Sequence, residues 1–287
     1  FLTHLFIAST HAYVLIFSDR GRVYWLKVHA IPDVGPAGRG KSIANLVSME
    51  PGERIAALET VKQFPDEDGE RFVVMGTRRG VVTKTDLRAF RHPRAGGIIA
   101  MGVDAAADAV IGAELTDGQG EIFIGTRDGR AIRFEEAGVR PTGRTAAGVR
   151  GVTLREGDEV VAMTVVRPGG TLLTVTENGY GKRTELDEYR VQSRGGVGII
   201  NIHVNARNGR VAGVAYVEHD DELMLITQHG KVLRMETRDI RPIGRATQGV
   251  RLIEIDDEDR VVSVARLVER DANGESKSSE PEPPEGL

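Results

Sequence analysis

The chain has 287 residues, with 38 Lys and Arg against 42 Asp and Glu and no cysteine. Disulfides and thiolate metal sites are excluded, no stretch reaches the roughly 18 uninterrupted apolar residues of a membrane helix, and a net charge of −4 gives no global attraction to a polyanion. Apolar residues supply 40% of the chain, and 35 glycines, well above the usual share of about 7%, call for many tight turns.

Phe1-Leu-Thr-His-Leu lacks both an initiator Met and the basic-then-apolar pattern of a signal peptide. The chain is therefore expected to be a cut from a longer polypeptide. The first periodic element is an apolar strand, a glycine turn and a second strand, Val14-Leu-Ile-Phe-Ser-Asp-Arg-Gly21-Arg-Val. The same plan returns as Phe72-Val-Val-Met-Gly-Thr-Arg-Arg-Gly80-Val-Val and Ile122-Phe-Ile-Gly-Thr-Arg-Asp-Gly129-Arg-Ala-Ile. It returns again as Leu172-Leu-Thr-Val-Thr-Glu-Asn-Gly179-Tyr-Gly and Leu223-Met-Leu-Ile-Thr-Gln-His-Gly230-Lys-Val-Leu. Asp128-Gly129 and Asn178-Gly179 predict hairpins with both turn residues at positive φ.

A second glycine follows each turn, at Gly40, Gly97, Gly148, Gly198 and Gly249, with an apolar residue directly after each of the last four. The turn glycines recur every 59, 49, 50 and 51 residues. A period near 50 with about four short strands per unit is that of propeller blades. The expected fold is all-β and propeller-like, with repeats at about 10–60, 70–113, 120–165, 170–217 and 221–268 and no long helix. Ala105 to Ala109 supports at most one helical turn.

From Glu269 to Leu287 there are six acidic residues against Arg270 and Lys277. With its Ser and Pro content this segment reads as a disordered acidic tail, which leaves residues 1–268 near neutral. Any interaction with nucleic acid must then rest on where the cations sit.

Four positions past the turn glycine stand Lys84, Arg133, Arg183 and Arg234, with Lys182 and Lys231 close by; the first repeat has Trp25 there and Lys27 two residues on. Just before the second glycine stand Arg94, Arg144, Arg194 and Arg245, and Arg39 and Lys41 flank Gly40. A basic residue on a strand is usually just a solvated face. Recurrence in register predicts more: a continuous basic rim, suited to a phosphate backbone.

Other signals carry less. Gly35-Pro-Ala-Gly-Arg-Gly-Lys-Ser42 fits the P-loop pattern but lacks the strand before and the helix after that phosphate cradling needs. The seven histidines are dispersed, Asp256-Asp-Glu-Asp259 reads as a solvated turn, and no catalytic constellation or metal site is found. Trp25 is expected to pack against Lys27 or the neighbouring blade.

The runs Ser18-Asp-Arg-Gly-Arg-Val-Tyr-Trp-Leu-Lys27, Thr176-Glu-Asn-Gly-Tyr-Gly-Lys-Arg-Thr184, Gly148-Val-Arg-Gly-Val152 and Gly244-Arg-Ala-Thr-Gln-Gly-Val250 resemble the C-terminal domain of the bacterial DNA gyrase A protein. The resemblance covers residues 1–268, and the acidic tail is similar too. It implies a β-pinwheel of five to six four-stranded blades, with strands exchanged between neighbours. It also implies sequence-independent wrapping of duplex DNA around the rim, which serves negative supercoiling. The implied partners are DNA, the remainder of gyrase A, and gyrase B, in the cytoplasm and on the nucleoid. The piece itself is expected to be a non-catalytic monomer without cofactor, ATP and Mg belonging to other domains of the parent.

The family's Gln-Arg-Arg-Gly-Gly-Lys-Gly-like box would fall just upstream of Phe1. Inside the chain, Gln192-Ser-Arg194-Gly195-Gly196-Val-Gly198 matches five of its seven positions. Ser193 and Val197 replace basic residues there, so it reads as a degenerate copy. Pro36 replaces the loop arginine of the sister repeats. Two other readings stand beside this one: the equivalent domain of the topoisomerase IV A protein, which favours decatenation, and a propeller-type protein-interaction scaffold, which would need an apolar or aromatic patch.

Overall fold

The computed structural model describes residues 8–33, 42–64, 70–92 and 94–267. Arg39, Lys41, Pro36, most of the P-loop-like run and the acidic tail lie outside the described residues.

Within each repeat, β-branched and aromatic residues form two strands that fold on a glycine turn, and a third strand returns along the first. The first repeat gives β1 (Tyr13–Ser18), β2 (Arg22–Lys27) and β3 (Ile55–Val61). The second gives β4 (Phe72–Thr77), β5 (Val81–Asp86), a two-residue β6 (Ile98–Ile99) and β7 (Val110–Thr116). The third gives β8 (Glu121–Thr126), β9 (Arg130–Glu135), β10 (Val149–Arg150) and β11 (Val160–Val166). The fourth gives β12 (Thr171–Thr176), β13 (Tyr180–Glu185), β14 (Ile199–Ile200) and β15 (Val211–Val217), and the fifth β16 (Glu222–Thr227), β17 (Val232–Glu236), β18 (Val250–Arg251) and β19 (Val261–Leu267).

The two-residue strands do not pair within their own repeat. β6 adds to β2, β10 to β5, β14 to β9 and β18 to β13, each antiparallel, so the second to fifth repeats each donate an outer strand to the one before. The result is a ring of all-β blades, four with four strands; the fifth, β17-β16-β19, has three among the described residues. The third strands form the inner layer, β3 packing on β7, then β11, β15 and β19 in turn. A register shift recurs where each first strand ends, as at Phe17/Ser18 and Val175/Thr176. Such bulges bend and twist the pair. Among the described residues the longest helix is the four-residue 3-10 turn Leu87–Phe90.

Four of the five core clusters lie between blades, and the fifth packs Val14, Ile16, Tyr24, Leu26 and Val47 within the first repeat. One cluster joins Leu15 and Phe17 to Val73, Met75, Phe90 and Met101, with Trp25 packed against it. The next joins Val74 and Val82 to Ile122, Ile132 and Phe134, and a third joins Phe123 and Ala131 to Leu172, Tyr189 and Val214. Phe123 and Ile124 thus face different clusters, because neighbouring side chains leave a strand on opposite faces. Both faces are covered, which is why the first strands read as unbroken apolar runs.

Two glycines show what the exchange demands. Gly129 has φ 82°, and its carbonyl accepts from the backbone N–H of both Asn201 and Ile202. A Cβ there would stand 2.2 Å from the Ile202 carbonyl oxygen. Gly198 (φ 67°) brings its strand so close that a Cβ would meet the Ala131 oxygen at 2.4 Å. The turns differ from the prediction in one respect: no residue other than glycine has positive φ among those described, Asp128 and Asn178 included. Four of the five connections are three-residue loops closed by a single left-handed glycine, another common hairpin form.

Candidate nucleic-acid interface

The strand cations and the loop arginines, similar in sequence, go to different places. Lys84 is buried, its Nζ 3.2 Å from Oε1 of the wholly buried Glu136 on the third repeat's 3-10 turn and 4.7 Å from the Phe72 ring centroid. Arg133 pairs with Glu121 at 2.6 Å and donates to the Leu186 and Tyr189 carbonyls of the fourth repeat at 2.8 and 3.0 Å. Arg183 is buried where β13 bridges Pro242 of the fifth repeat. Arg234 is exposed but paired with Glu222.

The expectation that Lys84, Arg133 and Arg183 line a solvent-facing rim is therefore corrected. At Lys84 and Arg133 this position faces the cleft between blades, where the long cation reaches the next repeat's turn and acts as a staple. Lys182 is also inside, its ammonium donating to Thr184 Oγ1 at 2.9 Å and to the Gly244 and Arg245 carbonyls at 3.2 and 2.6 Å. Burial first, and the neighbouring Arg245 charge second, push its pKa down to about 7, while Glu188 pulls the other way.

Of the loop arginines, Arg94 and Arg194 are exposed and Arg144 and Arg245 half-buried, and all but Arg94 repeat one contact. Arg144 donates to the Ile99 carbonyl at 2.9 Å, Arg194 to the Arg150 carbonyl at 3.1 Å and Arg245 to the Ile200 carbonyl. Each acceptor is the second residue of the outer strand that the preceding repeat donates, so the arginines lace the perimeter from one junction to the next. None of Arg94, Arg144, Arg194 and Arg245 has a carboxylate partner among the described residues. A guanidinium carries five N–H donors, so most remain for an outside oxyanion. Lys231 is also exposed at this edge, donating to the Glu254 carbonyl, while Lys27 lies 5.8 Å over the Tyr13 ring.

Sequence reasoning missed two members of this perimeter. Arg22 donates to the Gly96 and Gly97 carbonyls, and Arg130 to those of Val197 and Gly198 at 2.9 and 2.6 Å. Arg22, Arg94 and Arg144, from three successive repeats, line one cleft of about 290 Å³ with Ile98 and Ile99. The signal was the residue just after the turn glycine, which is basic in only three of five copies.

The box-like loop is held by its own neighbours. Gln192 N–H donates to the Arg133 carbonyl at 2.8 Å and Gly195 N–H to the Gly151 carbonyl at 2.6 Å. The Gly195 and Gly196 carbonyls accept from Thr153 Oγ1 and N–H at 2.7 and 2.9 Å. The Gly195 amide is thus committed within the protein, Gly198 abuts Ala131, and Arg194 and the exposed Val197 face outward. Among the described residues no cluster of His, Asp and Glu is placed to hold a metal, and no helix is long and apolar enough to cross a membrane.

A family model described as "DNA gyrase C-terminal domain, beta-propeller" matches five times, at residues 12–62, 71–117, 120–167, 170–218 and 221–267. The chain belongs to this family. It is 43% identical over 269 residues to the DNA gyrase A protein of Salmonella typhimurium, covering 94% of this chain and 30% of that protein. It is 42% identical over 282 residues to the DNA gyrase A protein of Staphylococcus aureus, covering 98% and 31%. The chain thus spans about a third of the length of the relatives it matches. Among solved structures, the C-terminal domain of DNA topoisomerase IV superposes with a TM-score of 0.79 at 27% identity, covering 90% of this chain and 79% of that one. The DNA gyrase A C-terminal domain gives 0.79 at 25% identity, covering 93% and 90%.

Proposed function

We propose that this gyrase C-terminal domain binds duplex DNA by its phosphates around the outer perimeter, without reading sequence, and wraps it to support negative supercoiling by the parent enzyme. One observation carries this reading: the loop arginines 94, 144, 194 and 245 recur at successive blades, are exposed or half-buried and have no carboxylate partner among the described residues, whereas most strand cations are buried or paired. Contact sites spread along a curve suit a curved polyanion. Bending a few tens of base pairs costs several kcal/mol, which distributed phosphate contacts must offset. Phosphate ligands are Arg94, Arg144, Arg194, Arg245 and Lys231, with Arg39 and Lys41 as further candidates. The domain contributes binding and shape; strand passage, ATP and Mg belong to the rest of gyrase A and to gyrase B, in the cytoplasm. The acidic tail at 269–287 competes for the same perimeter.

A mobility-shift titration with a linear duplex of about 100 base pairs at two salt concentrations tests the binding, because affinity should fall steeply as salt rises. Binding absent at low salt, or indifferent to salt, refutes it. Deleting residues 269–287 should tighten binding at fixed salt. Topological assays on relaxed circles with the rest of the parent enzyme test the wrapping. Decatenation without supercoiling would favour the topoisomerase IV-like role that the equal TM-score keeps in view.

A further inference from the structure

The outermost cross-strand pair at each exchange junction follows a rule that no single column of the repeats reveals. The opposed residues are Arg22 and Ile99 at the first junction, Val81 and Arg150 at the second, Arg130 and Ile200 at the third, and Tyr180 and Arg251 at the fourth. Every pair holds one arginine and one apolar or aromatic residue. The arginine sits on the receiving strand at the first and third junctions and on the donated strand at the second and fourth. Directly opposed residues of an antiparallel pair project from the same face, with Cβ atoms about 5 Å apart. Either arrangement therefore puts one guanidinium on the same face of the blade's outer edge.

The four arginines share this place but not one internal task. Arg22 and Arg130 donate to loop carbonyls of the following repeat. Arg251 donates to Tyr180 Oη at 3.0 Å and stands 3.7 Å from the exposed Glu254. Arg150 is exposed and its side chain has no hydrogen bond or ion pair among the described residues; its stem lies along Gly195. Arg22 and Arg130 share one kind of acceptor, the second glycine of the next repeat and the residue before it, but among the described residues Arg150 and Arg251 do not use it, so stabilisation does not account for all four. What the four have in common is a place at the outer edge beside the loop arginines, where Arg150 and Arg251 are exposed and Arg22 and Arg130 half-buried.

We infer that each exchange junction is built to present one guanidinium from its outermost cross-strand pair to a phosphodiester oxygen, and that the strand carrying it is interchangeable. The ligand is the nucleic-acid backbone, recognised by charge and by the forked donors of arginine. This rests on the DNA-binding reading above and adds four ligands to it, Arg22, Arg130, Arg150 and Arg251, none of them expected from the sequence alone.

The test is transposition. In the full chain, Arg22→Ile and Arg150→Val each remove one guanidinium; Arg22→Ile with Ile99→Arg, and Arg150→Val with Val81→Arg, move it to the opposite strand. Binding to a linear duplex is titrated across a fourfold range of salt, and folding is followed by circular dichroism and thermal unfolding. Removing one phosphate ligand should reduce the slope of log affinity against log salt by about 0.9. Each single variant should bind several-fold more weakly at low salt, and each transposed variant should regain the parent slope. If the folded single variants keep the parent slope, or the folded transposed variants stay as weak as the singles, the inference is wrong. The Arg150 pair guards against a folding defect in the Arg22 pair, since the Arg150 side chain bonds to nothing among the described residues. An unmutated chain that shows no salt-sensitive binding would instead overturn the DNA-binding reading itself.

Discussion

Lys84 Nζ stands 3.2 Å from Glu136 Oε1 in a site sealed from water, joining the second strand of one blade to the 3-10 turn of the next repeat. Thr116 Oγ1 donates to the other carboxylate oxygen at 2.7 Å, and the Gly120 N–H does so at 3.3 Å. The ammonium contact is one of charge rather than of hydrogen-bond alignment, for Oε1 accepts no well-directed hydrogen bond.

Removing either partner leaves a buried charge alone, which costs about 3–5 kcal/mol. Lys84→Met or Glu136→Gln should therefore lower stability strongly, and the double replacement should recover part of the loss. Urea unfolding of the three variants measures this. At low urea, the salt slope of DNA binding should be unchanged, because Lys84 faces the inter-blade cleft.

The perimeter arginines should behave in the opposite way. Arg194→Ala and Arg245→Ala should flatten the salt dependence of DNA binding, by about 0.9 per phosphate ligand, and move the unfolding midpoint little. Arg133→Ala should leave that slope alone and lower stability by about 1–3 kcal/mol, since the Leu186 and Tyr189 carbonyls lose a charged donor. Paired titrations and unfolding curves separate the two classes.

Lys182 makes stability depend on pH. Its pKa is about 7 in the folded protein and about 10.4 in an unfolded chain. Between those values the unfolded state binds more protons, so stability rises with pH; below about 7 both states are charged and this dependence vanishes. The carbonyls around the ammonium favour its charged form and moderate the effect. Relative to Lys182→Met, the parent should gain up to about 2 kcal/mol between about pH 7.5 and 9.5 in urea unfolding. The window stops short of about pH 10, the ordinary tyrosine value, because Tyr24, pushed up to about 12 chiefly by burial, reverses the sign above it.

β17 should be the first outer layer to open. Its residues are exposed or half-buried, whereas those of β13 are buried apart from Glu185. Amides without a covering strand open locally at little cost. Hydrogen exchange should be faster across 231–236 than across 180–185; equal protection would mean that another segment covers the edge.

The ring was legible because repetition is a global signal: glycines at fixed spacing survive any doubt about a single strand. The strand exchange was not derivable from spacing, since β6, β10, β14 and β18 are two residues long and announce only a glycine and an apolar residue. The cations divide instructively. In their loops, Arg94 and Arg194 are exposed and Arg144 and Arg245 half-buried. Lys84 and Arg183 turned inward because four residues past the turn is a position facing the next blade, and sequence register says that copies are equivalent without saying where they point. Arg22, Arg130, Arg150 and Arg251 escaped notice because each column alone is only partly basic; the rule appears once β2 is read against β6, β5 against β10, β9 against β14 and β13 against β18.

The exchange runs one way, each repeat lending its outer strand backwards along the chain. Shortening such a protein is consequently not symmetric. Loss of the first repeat would strand only the two residues of β6 and leave the other sheets as they are. Loss of the fifth would strip β18 from β13 and bare the edge of a blade whose own sequence is intact. The two losses thus differ in sheet pairing, although either one also bares an inter-blade core.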